Sequence, residues 1–292
     1  MSAERENIEY TVLIYEPGPV TRIIHNEPQK HNVLGPVFER EFKDALKRFD
    51  HDVEAKVAVV LSNGRHFAAG HDLGSLSKKQ SWEKAKKTVL NETDWRKLDD
   101  PRRFTYPMWE VSKPLVVGAQ GACLASGANF VMMHDIVVMG ESAYLGFEIA
   151  RVSGAFGSFM EMWLGYRKAF ELLCCGWNVG AQELYRLGAI NKVVPDDQIE
   201  AAAMRYAEIM ALMPLETLRL TKQSFRLAQS LRGAREVLWH MEETNTLVHL
   251  VGDEREKEFY RIMKEQGMRA AVQFRDEPFE KFGYDPKTPT II

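Results

Sequence analysis

The sequence predicts an α/β fold, and three observations predict it. Short apolar runs alternate with segments whose apolar residues recur at helical spacing. Two of those runs, Val57 to Leu61 and Leu115 to Val117, lead straight into turns built of small residues. The part of the chain beyond Gln198 reads as a succession of helical patterns. Apolar runs of three to five residues bounded by Pro, Gly or Asn fit strands covered on both faces, and alternation with helices implies parallel pairing through right-handed crossovers.

Tyr10 to Tyr15 and Val20 to His25 are β-rich runs separated by Glu16-Pro17-Gly18-Pro19, the signature of a hairpin. After a loop over Asn26 to Asn32, Pro36 to Phe49 is predicted to be an amphipathic helix. Proline stands in its first turn, and Val37, Phe38, Phe42, Ala45, Leu46 and Phe49 form its apolar stripe. The strand Val57 to Leu61 opens into Ser62 to Leu73, where Ala69 and Gly70 permit close backbone approach. Lys78 to Pro101 is charged and mostly helical in pattern, with Trp82, Leu90, Trp95 and Leu98 as anchors. The strand Leu115 to Val117 enters the small-residue turn Gly121 to Gly127, followed by a helix over Ala128 to Met133 and a strand over Ile136 to Met139. Helices are predicted at Phe159 to Trp177 and Gln182 to Leu187, with a turn at Gly188 to Pro195 leading to a last short strand. Gln198 to Met213, Glu216 to Leu231 and Arg235 to Leu250 complete the helical run, and the charged tail from Gly252 either wraps a neighbouring subunit or is partly disordered.

Composition restricts the partners. With 292 residues, 45% hydrophobic and 27% charged, and a net charge of −3, the chain suits one large domain with an appendage. Nothing in that balance points to nucleic acid or to an anionic membrane surface. Cys123, Cys174 and Cys175 make no disulfide framework, and Cys174-Cys175 is expected to be a pair of small buried helix residues. Neither Cys-x-x-Cys nor His-x-x-x-His spacing occurs, so no metal site is expected. The polar, acidic start is unlike a signal peptide, and no apolar run is long enough to span a bilayer, so a cytoplasmic protein is expected.

The turn before Ala128 carries the chemistry. A small-residue turn into a helix N-terminus leaves backbone N–H groups without intrahelical partners, and with the helix dipole they suit an oxyanion. The same pattern also fits a close-packed strand–helix corner. A second loop of the same kind, Phe67-Ala68-Ala69-Gly70-His71-Asp72-Leu73, makes a paired oxyanion hole the more specific expectation.

With Asn26 to Leu34, these blocks resemble the crotonase superfamily, the enoyl-CoA hydratase/isomerase family, over about residues 10–230. The resemblance implies a crotonase-like ββα spiral core over residues 1–205 with an acyl-CoA site. Residues 206–292 would then form a C-terminal helical oligomerisation region and tail, in a homotrimer or homohexamer. It implies an acyl-CoA substrate, with coenzyme A present as part of the thioester, no tightly bound cofactor and no metal. The implied oxyanion donors are the backbone N–H groups of Ala69 and Ser126. Lys30 is placed toward the nucleotide end or is a solvated loop lysine, Ala68, Gly70, His71, Asp72, Leu73 and Tyr106 lie toward the substrate, and Lys78 to Pro101 is either a solvated helical excursion or a segment over the acyl pocket. Tyr106, Trp109, Phe130, Phe147 and Phe156 would either line a pocket for a bulky or cyclic acyl group or serve as core.

Glu148 falls on the position of the family's principal acid/base glutamate. The chain departs from the family pattern around it: Phe147 replaces a usual proline, and Ser153 to Gly157 replaces a glycine-rich turn. Ala125 and Ser126 stand where relatives commonly carry glycines. Asn129 takes the place of the second glutamate of a typical hydratase; its amide can orient a water but cannot take its proton. The resemblance therefore implies hydratase/isomerase chemistry with one glutamate. A hydratase-lyase or C–C bond hydrolase of the same superfamily, and a non-catalytic acyl-CoA-binding protein, are the alternatives.

Overall fold

The computed structural model describes residues 9–72, 105–152, 154 and 157–284. The main sheet has the strand order β1 (Leu13–Glu16), β2 (Val20–His25), β3 (Val57–Ser62), β4 (Leu115–Ala119), β6 (Ile136–Gly140), β9 (Lys192–Val194). The first two strands form the expected antiparallel hairpin, and the remaining pairs are parallel. A smaller sheet joins β5 (Ala122–Leu124), β7 (Tyr144–Gly146) and β8 (Asn178–Gly180).

Every residue of β3 is buried because its two faces serve two cores. Ala58 and Val60 face the larger one, whereas Val57, Val59 and Leu61 face a second core beneath the helix Ile199–Ala211. A strand with no solvent face has no reason to alternate, which is why its sequence is a continuous apolar run. That covering helix is unbroken, so the division expected at residue 205 falls inside an element.

Helix α1 (Pro36–His51) buries Phe38, Phe42, Ala45, Leu46 and Phe49. Val37, placed on the same stripe by the sequence, is 41% exposed. At about 100° per residue the stripe centres near Phe38, Phe42, Ala45 and Phe49, and Val37 falls beyond its edge. Glu41, a charged residue on the buried stripe, is fully buried. Its carboxylate accepts from the Thr11 hydroxyl at 2.7 Å and from the backbone N–H groups of Thr11 and Val12 at 2.9 Å. Those donors make its burial tolerable and fasten the approach to β1.

The remaining helices are α2 (Thr105–Glu110), α3 (Ser126–Met132), α4 (Glu161–Cys175), α5 (Ala181–Arg186), α6 (Ile199–Ala211), α7 (Leu215–Leu231), α8 (Ala234–Val251), α9 (Glu254–Gln266) and α10 (Met268–Glu280). Cys174 and Cys175, expected to be buried, are exposed at the end of α4. Asp135 ties α7 to the body through Lys222 at 2.7 Å and Arg226 at 3.1 Å, while also accepting from the Leu115 N–H. His134-Asp135 is thus structural. The tail folds back on its own chain: Phe259, Ile262 and Ala271 of α9 and α10 pack with Val152 in a small apolar cluster.

Candidate active site

The two small-residue loops lie side by side because their backbones are hydrogen-bonded to each other. Phe67 N–H donates to Gln120 O at 2.9 Å, Ala68 N–H to Ala122 O at 3.2 Å, and Leu124 N–H to Ala68 O at 2.9 Å. Small residues permit this approach. A Cβ added to Gly127 would lie 2.5 Å from the Ala68 carbonyl oxygen, and Gly70 (φ +94°) faces the Leu124 carbonyl. The row continues laterally: β5 pairs with β7, Ala125 N–H donates to Gly146 O at 2.7 Å, and β7 pairs with β8 with Gly146 opposite Asn178. Both loops, Glu148 just beyond β7, and β8 are therefore neighbours across one small sheet.

Glu148 opens a 3₁₀ turn, Glu148–Arg151, and is buried. Burial raises its pKa above the ordinary carboxylate value, although the cations of Arg275 and Arg151 act in the opposite direction. The Tyr144 hydroxyl is pushed up to about 12, first by burial and then by the charge of Glu148. A carboxyl group whose acid form is favoured by burial is suited to donating as well as accepting a proton.

Ser126 is the first residue of α3, so its N–H has no intrahelical acceptor. Its predecessor Ala125 holds φ 52°, ψ −115°, a conformation that turns the chain sharply into the helix. Asn129 follows one turn later, also buried. Among the described residues, the buried side-chain oxygens without a hydrogen-bond partner are Ser126 Oγ, Asn129 Oδ1 and Asn178 Oδ1. All three belong to the first turn of α3 or to β8. Unpartnered buried oxygens concentrated in one region mark a place built to receive a polar group.

The other predicted residues divide between loop and body. Ala69 N–H donates to His31 O at 3.0 Å, so it would have to leave that carbonyl to serve an oxyanion. Ala68 is fully buried, with both backbone groups engaged by β5. Gly70 accepts from Leu34 N–H at 2.8 Å, and His71 bridges Leu34. The Asp72 side chain packs over Gly35, which precedes α1. The Lys30 ammonium meets Glu27 at 2.6 Å on the exposed loop beside these residues. Tyr106 is drawn away toward α8, its hydroxyl accepting from Arg235 at 2.6 Å and its ring lying 5.4 Å from Trp239. Phe130, expected to line a pocket, is core: it meets Phe38, Phe42 and Phe67. Leu73, Phe156 and the segment Lys78 to Pro101 lie outside the described residues. Asn178 was not anticipated, since an isolated Asn between Trp177 and Val179 carries no local signal. Among the described residues no three His, Cys, Asp or Glu side chains are grouped to hold a metal ion, and no helix is long and apolar enough to cross a membrane.

Two backbone-linked loops thus frame a helix N-terminus next to a buried carboxyl group, in a fold of the α/β class. The chain matches the enoyl-CoA hydratase/isomerase family over residues 16–268 and belongs to it. It is 30% identical over 212 residues to a Thermus thermophilus protein described as an enoyl-CoA hydratase, covering 71% of this chain and 81% of that one. It is 27% identical over 243 residues to the mevalonyl-coenzyme A hydratase of Aspergillus fumigatus, covering 81% and 86%. An enoyl-CoA hydratase/isomerase structure from Xanthobacter autotrophicus superimposes with a TM-score of 0.84 at 24% identity, covering 93% of this chain and 99% of that one, and so shares the crotonase fold.

Proposed function

We propose that the protein transforms acyl-CoA thioesters by enolate chemistry, with Glu148 as the acid/base. One observation carries this reading: the hydrogen-bonded row that sets the Ser126 helix terminus and the buried Glu148 just beyond the ends of two adjacent strands of one small sheet. In the proposed reaction Glu148 removes a proton from a carbon of the acyl chain. The C–H electron pair passes into the conjugated enolate, and the thioester oxygen takes up the negative charge. The Ser126 N–H stabilises that charge together with a second backbone N–H from the neighbouring loop. That second donor is the Ala69 N–H, which would exchange the His31 carbonyl for the oxyanion. Fixed donors of this kind are worth about 3–4 kcal/mol each in the transition state.

Glu148 then returns the proton to a different carbon, which moves a double bond and leaves the enzyme unchanged. This carbon-to-carbon transfer needs one carboxyl group, and Asn129 supplies no second one. Water addition is the second reading, favoured by the three unpartnered oxygens, which could order a water. There Glu148 would take the water proton as its oxygen bonds to the β-carbon, and would then deliver that proton to the α-carbon. Exposed Leu220, Phe225, Leu227 and Leu231 on α7 support assembly as a homotrimer or homohexamer. Coenzyme A would enter with the substrate, and Lys30 lies on the loop we assign to its nucleotide end.

Turnover of 2-enoyl-, 3-enoyl- and aryl-enoyl-CoA by the wild type and Glu148→Gln tests the proposal. The expected result is a loss of about 10²–10⁴-fold in kcat with binding retained. Equal turnover by both proteins would move the chemistry away from Glu148. Binding with no turnover by the wild type would favour a non-catalytic acyl-CoA-binding protein, and turnover of a CoA-free diketone would favour a C–C bond hydrolase.

A further inference from the structure

The environment of Glu148 contains a group that the family resemblance does not assign. Asn178 opens β8, where it stands opposite Gly146 in antiparallel register. An added Cβ on Gly146 would lie 2.4 Å from Asn178 Oδ1 and 2.8 and 2.9 Å from the two carboxyl oxygens of Glu148. The amide oxygen and the carboxyl group therefore both border the place where a Gly146 methyl group would sit, and neither leaves room for one. Asn178 is 3% exposed, and its Oδ1 has no hydrogen-bond partner among the described residues.

Two acceptor oxygens that face one small buried space repel each other unless a proton lies between them. An amide can meet that requirement in both states of a carboxyl group. When Glu148 is protonated, its O–H donates to Asn178 Oδ1. When Glu148 is ionised, rotation of the amide presents N–H to the carboxylate instead. Neither an aliphatic side chain nor a second carboxylate at residue 178 could do both.

We infer that Asn178 is the positioning residue of Glu148, accepting from its acid form and donating to its carboxylate, so that the group holds one orientation through the proton cycle. The inference rests on the proposed role of Glu148 as acid/base. Other charged or titratable groups also act on this carboxyl group: Tyr144 from β7, Arg151 from its own turn, Arg275 and Asp276 from α10, and Tyr284 beyond α10. Burial already favours the protonated form, which matches an acceptor as its neighbour. Glycine at residue 146 is required for the arrangement, since a Cβ there would displace both groups.

The test compares pH–rate profiles of Asn178→Leu, Asn178→Asp and Asn178→Gln with the wild type, using the enoyl-CoA that the wild type turns over best. Glu148→Gln is measured alongside, and thermal unfolding verifies that each variant folds. Asn178→Leu should lower kcat by about 10²-fold while KM stays within about threefold, since orientation of the reacting group is lost but binding is not. Asn178→Asp places a second carboxyl group beside the first and should move the Glu148 limb of the profile up by about one pH unit or more. Asn178→Gln should recover part of the activity with a near wild-type profile. If Asn178→Leu fails to fold, the Asp and Gln variants still decide through their profiles. A wild-type kcat and an unshifted limb in these variants, with Glu148→Gln inactive, would overturn the role of Asn178 alone. A change confined to KM would also overturn it. Full activity of Glu148→Gln would overturn both the inference and the reading beneath it.

Discussion

The Arg151 guanidinium donates to the Asp276 carboxylate at 2.8 Å, joining two buried groups that are 125 residues apart in the chain. Arg151 also donates to Gly176 O at 2.6 Å and stands 3.5 Å from the centre of the Tyr284 ring, and its own carbonyl accepts from Arg255. It ends the short turn that Glu148 begins. The C-terminal hairpin of α9 and α10 is thereby fastened to the segment carrying the candidate acid/base.

Removing one partner of that pair should loosen the hairpin. Asp276→Ala leaves a buried guanidinium without its counter-charge, a change that typically costs about 3–5 kcal/mol. Asp276→Asn keeps the volume and an acceptor and should cost less. Hydrogen exchange should quicken over residues 253–284 in the alanine variant, and kcat should fall with the order of the Glu148 turn. Unchanged exchange in that segment would mean the apolar cluster holds the hairpin without the ion pair.

Glu148 should destabilise the protein above acid pH. Its folded-state pKa is raised above the ordinary 4.5, chiefly by burial. The stability associated with its protonated form is therefore complete below pH 4.5 and is lost as pH rises through the folded value. Glu148→Gln, which stays neutral throughout, should unfold at a higher temperature than the wild type near pH 8. The difference should shrink as the pH falls toward 4.5. A difference independent of pH would place its origin in packing.

Which features were legible in the sequence follows from the range of the forces that produce them. The strands β3 and β4 were visible because burial on both faces writes itself into consecutive apolar residues. Helix α1 was visible through its stripe, although spacing alone put Val37 on the buried side and gave no hint of Glu41. The small-residue loops located the candidate site, but composition gave no hint that the Ala69 N–H is engaged by His31 O. Glu148 was found through the surrounding block, since a lone glutamate is ordinarily a surface residue. Asn178 and the Arg151–Asp276 pair depend on contacts between distant segments, and no local periodicity encodes those.

Acid should destabilise the protein through two buried histidines. His25, whose ring nitrogens have no hydrogen-bond partner among the described residues, has its pKa lowered to about 3 by burial. His134, whose Nδ1 donates to Phe130 O, is lowered to about 4, again mainly by burial. Both are neutral when folded, whereas the unfolded chain protonates them near 6.5. Their contribution is complete above pH 6.5 and is lost progressively below it, down to about 4 for His134 and about 3 for His25. His25→Phe preserves a ring at the place where the imidazole lies tilted, 4.3 Å from the Phe38 ring. Its unfolding temperature should fall less steeply than that of the wild type between pH 6.5 and 4. Parallel curves would show that His25 takes no part in the acid transition.

Ala125 should be a site of stored strain. Its φ of 52° and ψ of −115° approach the first corner of a type II′ turn, where glycine is the favoured residue. Relaxation is blocked on both sides: its N–H donates to Gly146 O at 2.7 Å, and its carbonyl accepts from Ala128 at 3.0 Å and Asn129 at 3.2 Å. A non-glycine residue held in such a conformation costs about 1–3 kcal/mol. Glycine would remove that strain but add unfolded-chain freedom worth about 0.4–1 kcal/mol. Ala125→Gly should therefore stabilise by roughly 1 kcal/mol, or about 2 °C in unfolding temperature for a chain of this size. Ala125→Val, with a branched Cβ in the same conformation, should shift it the other way and displace the Ser126 N–H, lowering kcat more than it raises KM. If glycine were neutral or destabilising, the turn into α3 would be unstrained, and the alanine there would have to be explained by its contact with Gly70.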